Sequence, residues 1–168
     1  MTAIDRVAEL IQERNRIDAE LAERIGRPAL TAHLGEWIAV QVFGIVLETS
    51  KGINGRFRDG RSVDVKWYPK REGLLDLKEE GPDLYLVLAG PKVPPASSRG
   101  TTRPLVIDAV YLFDAAALVA DLRARGRRIG TASSVRTELW AAAEIYPRRN
   151  PLFSVAAEQR ELLALFGS

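Results

Sequence analysis

The sequence predicts an α+β fold, a mixed sheet of about five strands with two helices before it and about three after it. Three observations carry that expectation. Apolar residues recur at helical spacing from Ile4 to Ile25 and again from Leu34 to Val42. Turn chemistry and β-branched-rich apolar runs fill the middle of the chain. Strand and helix signals come in blocks, without the regular alternation of a doubly wound sheet. At 168 residues the length fits one domain, 1–168, large enough to bury a true core.

Taken in order, Ile4, Val7, Leu10, Ile11, Ile17, Leu21 and Ile25 define a first helix over 3–25, and Gly26-Arg27-Pro28 stops it within an N-terminal segment 1–27. Thr31 is the expected N-cap of a second helix through Phe43, which Gly44 ends. Its apolar stripe is Leu34, Ile38 and Val42, with Glu36 off it. A strand over 45–48 follows. Asn54-Gly55 reads as a tight turn, and 56–58, Asp59-Gly60 and 61–68 read as a hairpin, so three antiparallel strands follow the second helix. The runs 84–89 and 105–113 are buried-strand candidates, separated by a Pro-, Ser- and Gly-rich loop over 93–104. Within the C-terminal helical segment 114–168, Asp114 caps a helix closed by Gly126, and Ser133 or Ser134 starts another through Ile145. A last helix begins near Ser154.

Composition narrows the chemistry. Hydrophobic residues are 46% and charged residues 27%, and no run approaches the roughly 18 apolar residues of a membrane span. The first residues lack an apolar signal region, so a cytoplasmic location is expected. Zero cysteines exclude disulfides, thiolate zinc sites and a cysteine nucleophile, and a single histidine, His33, leaves no histidine cluster. Any chemistry must come from carboxylates or lysines, or there is none. The net charge of +2 does not announce nucleic acid, but local basic clusters at 66–71, 99–103, 123–128 and 148–149 could line a phosphate track or simply complement helix termini.

Asp64 and Lys66 are the pair that carries most. On a strand they share one face, about 7 Å apart, while Val63, Val65 and Trp67 fill the other. A carboxylate beside an ammonium on a rooted strand can hold a cation and position a water for phosphodiester hydrolysis. The plain structural alternative is an exposed ion pair worth at most about 1 kcal/mol.

A helix bearing Glu36, a strand, Asn54, a hairpin and then Asp64-Val65-Lys66 together resemble the PD-(D/E)xK nuclease superfamily, which includes many restriction endonucleases. The resemblance covers 31–91 and implies a restriction-endonuclease-like core. It implies a magnesium-dependent endonuclease acting on DNA, with Glu36, Asp64 and Lys66 as catalytic residues and Glu36, Asn54 and Asp64 around the metal. In that reading Lys66 acts on the attacking water, Lys70, Arg71, Arg99 and Arg103 contact nucleic acid, and two copies of the chain could pair on two strands. Asn54 stands where the family places its first metal-binding aspartate, and a neutral amide is a poorer magnesium ligand than a carboxylate. The same resemblance therefore also accommodates a catalytically inactive nucleic-acid-binding or protein-interaction module. As a turn dipeptide, Asn54-Gly55 needs no metal to explain it. Glu48 could substitute for the missing acid, whereas Asp59 belongs to its turn.

Other signals are weaker. The stretch 20–34 hints at a helix-turn-helix, but the would-be recognition helix carries a core-directed stripe. His33 reads as a capping or surface residue. Asp76, Glu79, Glu80 and Asp83 flank a Gly-Pro turn, and Trp37, Trp67 and Trp140 fit core packing better than base stacking.

Overall fold

A computed structural model describes residues 2–49, 53–92 and 104–168. Helix α1 (Ala3–Ile25) begins in a capping box: the Thr2 hydroxyl accepts from the Asp5 amide, and the Asp5 carboxylate accepts from the Thr2 amide at 2.8 Å. It ends at Gly26, whose φ of 71° suits glycine. Helix α2 (Thr31–Phe43) ends the same way at Gly44. Its N-cap is Leu30, with no side-chain cap bond, so Thr31 is the first helical residue and not the expected cap.

Strands β1 (Val46–Leu47), β2 (Gly55–Arg56) and β3 (Ser62–Tyr68) form the expected antiparallel meander. Asn54-Gly55 is not its turn. Gly55 lies in β2, and a Cβ there would come 2.3 Å from the Val46 carbonyl oxygen, so glycine is required by close backbone approach and not by positive φ. The Asp59-Gly60 turn is as expected, with Gly60 at φ 89° and the Asp59 carboxylate accepting from the Arg61 amide. A crossover carrying β4 (Leu74–Leu75) leads to β5 (Leu84–Ala89), parallel to β3 with Asp64 beside Tyr85 and Lys66 beside Val87.

All six residues of β5 are buried, which is why its sequence is an unbroken apolar run. Strand β6 (Ala109–Asp114) pairs antiparallel with it, and β8 (Glu144–Tyr146) pairs antiparallel with β6. The main sheet therefore has six strands in the order β1-β2-β3-β5-β6-β8, and β4 pairs separately with β7 (Ser133–Ser134). Of the run 105–113 only the part from Ala109 is strand. Asp108, just before it, is tied by its carboxylate to Ser168.

Helix α3 (Ala115–Ala124) is capped by Asp114, whose carboxylate accepts from the Ala117 amide at 2.8 Å. The expected helix from Ser133 to Ile145 is instead β7, the short α4 (Thr137–Ala143) and β8, because pairing with β6 claims Glu144–Tyr146. Helix α5 (Ala157–Ala164) starts later than Ser154, with the Gln159 side chain accepting from the Ala156 amide. One face of the sheet, built on Val63, Val65, Trp67, Leu86 and Leu88, packs on Ile38, Ala39 and Val42 of α2 and Leu163 of α5. The other, built on Tyr85, Val87, Tyr111 and Phe113, packs on Leu118 and Leu122 of α3 and Ala143 of α4. Helices thus cover both faces, and α1 lies outside them with no buried residue. Among the described residues no helix is long and apolar enough to cross a membrane.

Candidate functional site

The β2–β3 ladder ends at Gly55 opposite Val63, and beyond it no strand among the described residues pairs with this edge of β3. Asn54 continues the ladder twice over. Its amide donates to the Val63 carbonyl at 3.0 Å, and its side-chain oxygen accepts from the Val65 amide at 2.6 Å. That second bond turns the Asn54 Nδ2 toward α2, where it donates to Glu36 Oε1 at 2.9 Å. The other oxygen of Glu36 accepts from Arg27, which the Gly26-Pro28 turn places between α1 and α2.

Arg27, Glu36, Glu48, Asn54, Asp64 and Lys78 line one open pocket of about 510 Å³ at this edge. Sequence reasoning names Glu36, Asn54 and Asp64 together, and the fold brings them together. Glu36 is off the apolar stripe of α2 yet only 7% exposed, and Asp64 is 9% exposed. Lys66 pairs with Asp64 at 3.1 Å and lies 5.5 Å from the centre of the Tyr85 ring. The Asp64–Lys66 pair is therefore not the exposed ion pair of the structural alternative: the Lys66 and Asp64 side chains are only 17% and 12% exposed. Burial and the nearby Asp64 carboxylate push the Tyr85 hydroxyl up from its ordinary value. That hydroxyl accepts from the Lys78 amide at 3.1 Å.

Two pocket residues, Arg27 and Lys78, escape sequence reasoning. Arg27 sits inside a helix-stop signal that accounts for its neighbours, and nothing local marks it as the partner of an acid nine residues on. Glu48 is engaged by Arg56 at 2.7 Å. Of the expected nucleic-acid contacts, Lys70 pairs with Glu72, and Arg71 donates to the Gly90 carbonyl at 2.6 Å and the Tyr111 hydroxyl at 3.0 Å. Arg71 lines a different pocket, with Tyr111 and Trp140. Arg99 and Arg103 lie outside the described residues.

The donor set does not fit magnesium as it stands. A hard cation needs several anionic or neutral oxygens with lone pairs aimed at one point. Here one Glu36 oxygen faces the Arg27 guanidinium and the other an amide N–H, and the Asn54 oxygen is spent on the Val65 backbone. One Asp64 oxygen faces Lys66. Among the described residues no three His, Asp or Glu side chains are grouped to hold a metal. What the arrangement does is neutralise two buried carboxylates with two cations and close the edge of β3.

No protein-family model matches this chain, and no curated protein matches it.

Proposed function

We propose that the chain is a non-hydrolytic relative of the PD-(D/E)xK nucleases, a module that binds duplex DNA without cutting it. The observation that carries this reading is the saturation of Glu36 by Arg27 and Asn54. An arginine and an amide hold, by charge and hydrogen bonds, the carboxylate that a hydrolytic site would leave for a cation. Arg127, Arg128 and Arg149 are exposed and offer sequence-independent contacts for phosphates. A second reading, magnesium-dependent endonuclease activity, is favoured by one observation: Glu36, Asn54 and Asp64 share a pocket, with Lys66 on Asp64.

Calorimetric titration with magnesium, plasmid cleavage and fluorescence anisotropy with a DNA duplex separate the two on wild type and Asn54→Asp. The expected wild-type result is no magnesium isotherm, no cleavage, and DNA binding that weakens as salt rises. Asn54→Asp sets a carboxylate against Glu36, so it should melt lower without magnesium and recover when the cation binds the native state. Cleavage by the wild type overturns the first reading in favour of the second. If neither protein binds DNA, the module reading falls whatever the metal result.

A further inference from the structure

Helix α1 carries a regular seam, mostly apolar, that the described residues leave largely open. Ile4, Val7, Ile11, Arg14, Asp18, Leu21 and Ile25 follow one another at spacings of three and four residues, the a and d positions of successive heptads. Its 23 residues extend about 34 Å. No α1 residue is buried: Ile4 is 72% exposed, Ile11 53% and Val7 48%. Only Asp18, Ala22 and Ile25 are partly covered, toward the end of the helix that adjoins α2. An amphipathic helix of this length, isolated in water, has no means of burying its stripe alone.

We infer that a second copy of this chain covers the seam, with the two α1 helices packed antiparallel. The charges in the seam decide both the occupant and the direction. Arg14 and Asp18 interrupt the apolar seam side by side, 3.6 Å apart within one helix. In a parallel pair each would face its own copy, giving an arginine layer and an aspartate layer, both repulsive. In an antiparallel pair centred on Arg16, residue numbers across each layer sum to the same value. Arg14 then meets Asp18 of the other copy, twice. The same register sets Ile11 against Leu21 and Val7 against Ile25, so four apolar layers flank two charge-matched ones. Every layer joins an a position to a d position. On one flank Ile17 lies next to the two-fold axis and meets its own copy, while on the other Ala8, Asn15 and Ala22 are small enough for the backbones to approach. A surface that is self-complementary in both charge and shape about one two-fold axis is what a closed homodimer requires.

The test is sedimentation equilibrium of the full chain with charge variants in the seam. Wild type should run at twice the chain mass. Arg14→Asp and Asp18→Arg each place like charges across both central layers and should be monomeric, with circular dichroism showing the fold kept. The double variant Arg14→Asp/Asp18→Arg restores both matches and should dimerise again. Because the chain has no cysteine, direction can be read by disulfide trapping. Ile11→Cys mixed with Leu21→Cys should give a cross-linked species, while neither alone should. A monomeric wild type, a double variant that stays monomeric, or self-linking of Ile11→Cys would each overturn the proposal. None of these outcomes bears on the DNA-binding reading, which rests on Glu36 and its partners and not on the seam of α1.

Discussion

Asn54 concentrates three jobs in one residue. Its backbone extends the ladder, its oxygen holds the Val65 amide, and its nitrogen holds Glu36. Replacement by alanine strands two partly buried groups, each costing about 1–3 kcal/mol when unpaired. We expect Asn54→Ala to lower stability by about 2–4 kcal/mol in urea unfolding with an unchanged m-value. A loss under about 0.5 kcal/mol would show that water replaces the amide. The identity of this residue was legible in the sequence only as a gap in a motif and as turn chemistry. Its real reason, the open edge of β3, depends on where β2 stops, and a strand of two residues leaves no periodic trace. Asp64 and Lys66 were legible as a pair on one face, but their burial was not. Alternation of polar and apolar residues implies a solvated face, whereas here the Lys66 and Asp64 side chains are only 17% and 12% exposed.

At the scale of elements, periodicity worked where the structure is local. Helices α1 and α2 and strand β5 have nearly the bounds that their patterns give, because a helical stripe with its stop signal and an unbroken apolar run are local signals. It failed at β8, where Ala141-Ala142-Ala143-Glu144-Ile145 reads as helix but Glu144 and Tyr146 pair with β6, more than thirty positions earlier. Long-range pairing overrode local propensity there. Helix α5 shows the same limit on a smaller scale. Its leucines look alike in sequence, yet Leu163 is fully buried in the α2 face of the core while Leu165, just past the helix, is 75% exposed. Leu163→Ala should cost about 2–5 kcal/mol through lost burial and the cavity left behind, and Leu165→Ala under about 0.5 kcal/mol. Thermal and urea denaturation of the two variants check this, and equal losses would mean that α5 is seated differently.

On the whole-molecule scale, the sheet and its two helical layers form one body, and α1 stands apart from its core. Removal of residues 2–25 should leave the remainder cooperatively folded, with the melting temperature within a few degrees of the monomeric Arg14→Asp variant. In contrast, the wild-type melting temperature should rise with protein concentration, because association stabilises the native state by mass action. Differential scanning calorimetry at two concentrations reads both, and a truncated chain that melts non-cooperatively would show that α1 belongs to the core. Much of the arginine content also has an internal use at this scale. Arg71 joins the start of the crossover to Gly90 and Tyr111, and Asp121 gathers Arg125 at 2.8 Å and Arg136. Those two guanidiniums hold the Asp121 carboxyl below its ordinary range, outweighing the upward push of burial. A high arginine count in this sequence is therefore partly scaffolding, and the surface left for a polyanion is smaller than composition suggests.

The bond from the Val65 amide to Asn54 has a further meaning for the life of the chain in a crowded solution. A bare strand edge offers a row of donors and acceptors on which another polypeptide can crystallise a new strand. Past Val63, β3 is bordered not by backbone but by a side chain that occupies the next donor and cannot propagate a ladder. An intruding strand would have to expel Asn54 and, with it, release Glu36. The same amide that closes the pocket therefore occupies the donor on which a strand added along this stretch of β3 would have to build.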